Sequence, residues 1–186
     1  NYLKIYRGGA LYNPQNHQLK AVNKFLKSKK GSIFIHSTGS GKTLSAILCA
    51  KKSLLKKSIK IVYFICPKSV TKQVNSEIEK YEPELVSKIK IFTYGRFIKL
   101  KEIPKDTLII YDEAHKLLSN NKKTRNLLNQ ASKILLLTGT PIMNYIDDIL
   151  LILSYISDIN GKVLKNRKKM SMKEIMDIVK TIDKDS

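Results

Sequence analysis

The run His36-Ser37-Thr38-Gly39-Ser40-Gly41-Lys42-Thr43 has the residue types that binding a polyphosphate demands. Backbone N–H groups must converge on the anion, and Gly39 and Gly41 let the chain wrap closely without a side-chain clash. An apolar stretch of strand character precedes the run and a stretch of helical spacing follows it. A helix N-terminus would therefore add its own free N–H groups and positive dipole end. In that arrangement Ser37, Thr38 and Ser40 complete the cradle, Lys42 reaches the β- and γ-phosphates of a nucleotide, and the Thr43 hydroxyl ligates Mg²⁺. The plain alternative is a Gly/Ser turn that happens to precede Lys-Thr; the strand–loop–helix setting argues against it.

Two further apolar runs end in polar residues. Leu108–Tyr111 leads into Asp112-Glu113-Ala114-His115, and Ile134–Leu137 leads into Thr138-Gly139-Thr140-Pro141. Open α/β sheets bind ligands at the C-terminal ends of their strands. There Asp112 would hold Mg²⁺ through water, Glu113 would orient and polarise an attacking water, and His115 would link the nucleotide site to neighbouring elements. Thr138 and Thr140 would hydrogen-bond to the 112–115 loop and to a bound phosphate backbone. An isolated Asp-Glu pair is usually a solvated turn. Downstream of the glycine-rich run it reads as the acidic half of a nucleotide-hydrolysing site.

These groups need a scaffold that brings strand ends together. Candidate strands at Ser32–His36, Ile61–Cys66, Ile89–Thr93, Leu108–Tyr111 and Ile134–Thr138 alternate with helical stretches at Gln15–Lys27, Lys42–Leu55, Val70–Lys80 and Lys123–Gln130. Near-continuous apolar strands between helices predict an α/β fold, an open and mainly parallel sheet with helices on both faces. A further apolar helix is expected over Asn144–Ile159, against the sheet's edge. From Gly161 the composition shifts to Lys, Met and Asp, with one weakly amphipathic stretch at Met172–Ile182. The expected division is one domain over residues 1–160 and a basic linker or the start of an insertion over 161–186. A plain C-terminal helix of the same domain is the alternative.

A length of 186 residues suits one α/β domain with a sizeable core and is short for two. Apolar residues at 42% and charged residues at 27% exclude collagen-like and wholly disordered chains. No apolar run is long enough to span a membrane. Thirty-five Lys and Arg against fifteen Asp and Glu leave a net charge of +20, which favours a polyanionic partner, nucleic acid first. Codon bias in an AT-rich genome would also enrich Lys, Ile and Asn, so charge alone does not decide. Cys49 and Cys66 sit in apolar stretches and read as reduced core thiols. A start at Asn1 without a secretory segment reads as a fragment of an intracellular, non-secreted protein.

In this order the three motifs resemble those of the first RecA-like domain of superfamily 2 helicases and translocases, which are P-loop NTPases, over roughly residues 12–157. His36 stands where the general P-loop pattern begins with Gly, a departure common in helicase-type loops. Asn16-His17-Gln18-Leu19 is similar to the motif in which Gln18 would read the adenine edge. Cys66-Pro67-Lys68-Ser69 resembles the motif that grips a nucleic-acid backbone, and Thr93-Tyr94-Gly95-Arg96 stands where another strand-contacting motif is expected. The resemblance implies an ATP hydrolase using ATP and Mg²⁺, with Lys42, Asp112, Glu113 and His115 in catalysis and Lys68, Thr93, Arg96, Thr138 and Thr140 on nucleic acid. Leu137-Thr138-Gly139-Thr140-Pro141-Ile142-Met143-Asn144 looks most like Swi/Snf-type duplex translocases, so DNA is favoured over RNA, and large DNA viruses carry similar ATPases. A DEAH-type RNA helicase and a non-enzymatic assembly subunit of a transcription complex are the alternatives. The family completes its ATPase site with arginines from a second RecA-like domain, for which this length leaves no room. Slow hydrolysis by the isolated chain is expected.

Overall fold

The computed structural model describes residues 5–7, 10–12, 14–35, 41–119, 121–139, 148–157, 159, 164, 166 and 169–184. A short antiparallel pair, β1 (Ile5–Arg7) and β2 (Ala10–Tyr12), precedes the helix α1 (Asn16–Lys27). A five-stranded sheet follows: β3 (Gly31–Ile35), β4 (Ile61–Cys66), β5 (Ile89–Thr93), β6 (Thr107–Tyr111) and β7 (Lys133–Thr138). All neighbours in it are parallel, in the order β3-β7-β6-β4-β5.

Side chains alternate across each strand, and both faces are covered. Phe34, Val62, Phe64, Cys66, Leu108, Ile110, Leu135 and Leu137 point into one core. There they meet α1, α2 (Lys42–Leu55) and α3 (Thr71–Tyr81) through Val22, Phe25, the buried run Leu44–Ala50, Val74 and Ile78. Tyr63, Ile65, Ile109, Tyr111, Ile134 and Leu136 point into the other. That face is closed by α4 (Tyr94–Phe97), a 3₁₀ turn over Ala114–Ser119, α5 (Lys122–Gln130) and α6 (Asp148–Leu153). Burial on both sides is why the strands read as continuous apolar runs.

All five strands have the expected positions to within one residue; β3 runs Gly31–Ile35 where Ser32–His36 was expected, and His36 lies outside the described residues. α5 starts one residue early because the Asn121 side chain accepts from the N–H groups of Lys123 (2.9 Å) and Thr124 (3.3 Å). The expected helix over 144–159 is described from Asp148 and ends at Leu153, giving way to turns through Ser157. It packs over the β3–β7 side of the sheet, where Ile156 lies against Gly31. α4 and the 3₁₀ turn are absent from the periodicity reading because neither is long enough to show a repeat. In the basic tail, α7 (Met172–Lys184) begins with a reciprocal cap. The Ser171 N–H and hydroxyl each reach Glu174 Oε2 at 2.7 Å, and Ile175 is fully buried. Among the described residues no helix is long and apolar enough to cross a membrane.

Gly31 opens the strand that feeds the glycine-rich loop, and it has no room for a side chain. A Cβ there would collide with the Ile134 carbonyl oxygen of β7 and come within 2.9 Å of Ile156 Cγ2. Gly31→Ala should therefore lower unfolding free energy by about 1–3 kcal/mol, read as a lower urea midpoint at unchanged m-value.

Candidate nucleotide site and nucleic-acid groove

Parallel register sets the C-terminal ends of β3, β6 and β7 side by side, so the segments that follow them share one edge. His36, Ser37, Thr38, Gly39 and Ser40 lie outside the described residues; Gly41, Lys42 and Thr43 open α2. Gly41 has φ +79°, and a Cβ on it would stand 2.6 Å from Gln18 Nε2. Both the left-handed backbone and the close approach of Gln18 require glycine here. Gln18 is 3% exposed, and its Oε1 accepts from the Gln15 N–H at 2.9 Å. Its amide thus caps α1 and lies beside Gly41.

After β6 the chain makes a strained turn. Asp112 N–H donates to the Ile65 carbonyl at 2.8 Å, and its Oδ1 accepts from the Glu113 N–H at 3.0 Å. Glu113 itself has φ +52°, a region that costs a non-glycine residue about 1–3 kcal/mol. The turn puts its carboxylate between two side chains: Lys42 Nζ is 3.9 Å from Oε1, and His115 Nδ1 is 3.2 Å from Oε2. Burial raises the Asp112 carboxyl above the usual carboxylate range, while the Glu113 N–H, Lys42 and His115 pull it down. The neighbouring Cys66 thiol is pushed up to about 11 by burial and then by Asp112, so it stays protonated.

This edge suits Mg²⁺ and a polyphosphate. A half-buried carboxylate short of compensating charge and a hydroxyl are hard oxygen donors. Among the described residues no cluster of three or more His, Cys, Asp or Glu would hold a metal alone, so phosphates and water would complete the coordination.

A second feature lies further along the same end of the sheet. Lys68, Thr93 and Arg96 line one open groove of about 730 Å³, with Lys72 and Asn75 of α3 on its wall. Thr93 also caps α4, its Oγ1 accepting from the Arg96 N–H at 3.4 Å. The structure thus brings these three residues to one groove, with Lys72 and Asn75 beside them; Lys72 follows Lys68 by four residues, a spacing visible in the sequence. Thr138 is placed differently. It is 1% exposed at the end of β7, enclosed by protein, and supports the site from within instead of meeting a strand on the surface. Thr140 lies outside the described residues. The sequence reading also missed Tyr94, whose hydroxyl donates to the Asp112 carbonyl at 2.9 Å.

Residues 11–105 match the family described as type III restriction enzyme, res subunit. Curated relatives include a putative ATP-dependent RNA helicase, L538, of Acanthamoeba polyphaga mimivirus, 36% identical over 76% of this chain and 32% of that protein. An uncharacterized ATP-dependent helicase, YqhH, of Bacillus subtilis (strain 168) is 33% identical over 74% of this chain and 28% of that protein. The chain therefore spans about a third of the length of these relatives. Among solved structures, the Sulfolobus solfataricus SWI2/SNF2 ATPase core in complex with dsDNA superposes with a TM-score of 0.72 at 23% identity, over 93% of this chain and 43% of that one. The UvsW helicase of bacteriophage T4 superposes with a TM-score of 0.58 at 20% identity, over 74% of this chain and 56% of that one. These likenesses establish the RecA-like α/β fold.

Removing the Gln18 amide should loosen both α1 and the loop base. Gln18→Ala is expected to lower stability by about 1 kcal/mol in urea unfolding and to weaken nucleotide binding measured by calorimetry.

Proposed function

The chain belongs to the type III restriction enzyme, res subunit family, and from that premise we propose that it is the first motor domain of an ATP-dependent helicase or translocase. The observation that carries this reading is the meeting of Lys42, at the start of α2, with Glu113, after β6, at 3.9 Å. An ammonium and a carboxylate at the N-terminus of a buried helix are what phosphoryl transfer to water uses.

In this reading Gly39–Thr43 cradle the phosphates, with Ser37 and Thr38 leading into the loop, and Gln18 reads the adenine edge as well as bracing Gly41. Lys42 leaves Glu113 for the β- and γ-phosphate oxygens. Thr43 and Asp112 would hold Mg²⁺, which would supply charge neutralisation when bound. Glu113, freed from Lys42 and held by its turn and by His115, orients the attacking water. Lys68, Thr93 and Arg96 hold phosphates of one strand, with Thr140 contributing from the loop after β7. Binding is then largely independent of sequence and sensitive to salt. A second RecA-like domain completes the site with arginines, and this chain alone hydrolyses ATP slowly. Duplex DNA is the favoured partner. The name of the mimivirus relative, a putative ATP-dependent RNA helicase, favours RNA as the second reading.

Turnover of the full-length protein, measured with duplex DNA, single-stranded DNA or RNA, separates these readings. Glu113→Gln should lower stimulated kcat by about 10²–10⁴-fold with ATP still bound; turnover indifferent to every nucleic acid would instead support an assembly subunit. Arg96→Ala and Lys68→Ala should each weaken binding of all sequences alike and reduce the log–log salt slope by about one.

A further inference from the structure

Tyr94 connects the groove to the turn that carries Glu113. It opens α4 between Thr93 and Arg96, which both line the groove, while its own side chain faces away from them. The ring stacks on Tyr111, centroids 5.4 Å apart, and the hydroxyl donates to the Asp112 carbonyl oxygen at 2.9 Å. That carbonyl belongs to the same peptide unit as the Glu113 N–H, which donates to Asp112 Oδ1 at 3.0 Å.

In a planar trans peptide the C=O and N–H point in opposite directions, so a hydrogen bond at one end orients the other. The tilt of this plane also sets φ of Glu113, held at +52°. Such a conformation persists only where its surroundings over-determine it. The Ile65 carbonyl holds the preceding peptide by accepting from the Asp112 N–H at 2.8 Å, and the Lys116 N–H holds the Glu113 carbonyl at 2.9 Å. The 112–113 peptide itself is held by the Asp112 side chain at its N–H end and by the Tyr94 hydroxyl at its carbonyl end. Without the hydroxyl only the Asp112 side chain, which the proposed function assigns to Mg²⁺, fixes the tilt of this peptide, so Glu113 is freer to relax to an ordinary φ and its carboxylate to leave its place between Lys42 and His115. A cavity of about 220 Å³ beside Tyr94, bounded by Tyr111, Tyr155 and Thr124, gives the ring space to shift with α4.

We infer that Tyr94 is a positioning residue that couples the groove to hydrolysis: phosphates held by Thr93 and Arg96 set the pose of α4, and the Tyr94 hydroxyl passes that pose to the Asp112–Glu113 peptide. This rests on the proposed roles of the groove and of Glu113.

The test is steady-state ATP turnover of the full-length protein, with and without the nucleic acid that stimulates the wild type most. Tyr94→Phe keeps the ring and its stack and removes only the hydroxyl. Tyr155→Phe is the matched control, because its hydroxyl donates to another carbonyl, that of Leu117, at 3.2 Å from the same cavity. Tyr94→Phe should lower nucleic-acid-stimulated kcat about tenfold, one hydrogen bond's worth. Its nucleic-acid Kd and ATP KM should be unchanged, and Tyr155→Phe should keep full stimulation. Undiminished stimulation in Tyr94→Phe, or equal losses in both variants, overturns the coupling role. A wild type that no nucleic acid stimulates, or a Glu113→Gln variant that hydrolyses normally, overturns the functional reading beneath it and this inference with it.

Discussion

A parallel sheet covered on both faces leaves charged side chains of its central strands nowhere to go except the strand ends. In this molecule the constraint shapes almost everything else. Strand interiors are apolar on both sides, from Val62, Phe64 and Cys66 on one face to Tyr63 and Ile65 on the other. Because all five strands run the same way, their C-terminal ends share one edge. Lys42, Asp112, Glu113, Thr93 and Arg96, scattered along the chain, therefore collect there. The buried helix α2 adds its N-terminus to the same edge, with Leu44–Ala50 anchoring it in the core.

What collects there is not at rest. Asp112 carries a carboxyl raised by burial, and Glu113 sits in a conformation unusual for its residue type. Each of these weakens the fold taken alone. Each is held by ordinary interactions around it: the Ile65 carbonyl, the Tyr94 hydroxyl, and Lys42 and His115 beside Glu113. Strain offset by surrounding structure is what a pre-organised charge site requires.

The net charge of +20 is a weaker guide than it first looks. Lys68, Lys72 and Arg96 line the groove, yet Lys51, Lys57, Lys60 and Lys88 line a separate hollow beside the C-terminal end of α2 and the turn before β5. Basic residues occupy regions remote from the nucleotide edge as well as the groove. The groove differs in its lining, where Thr71, Ser76 and Thr93 add hydroxyls between three cations, although Glu79 also lines it and takes the Asn75 amide at 2.6 Å.

Hydrophobic periodicity was enough to read the strands, the main helices and the parallel architecture, and three short motifs named the residues expected to bind nucleotide. Those features are local: a strand buried on both faces is apolar in every position, and phosphate cradles need glycine, lysine and a hydroxyl in fixed succession. Helical wall residues such as Lys72 and Asn75 follow from Lys68 only once α3 is known to face the groove. Thr138 looked like a surface contact because a strand-end threonine can point either way, and only the packing of the sheet turned it inward. The left-handed turn at Glu113 and the bond from Tyr94 to Asp112 had no signal in the chain, since they join residues eighteen apart in sequence through a carbonyl that every residue possesses. Sequence determined which side chains this protein has for chemistry and which strand ends carry them. Tertiary structure decided which of them touch, because contact depends on backbone direction and on the space left by neighbours, and neither is written in residue type.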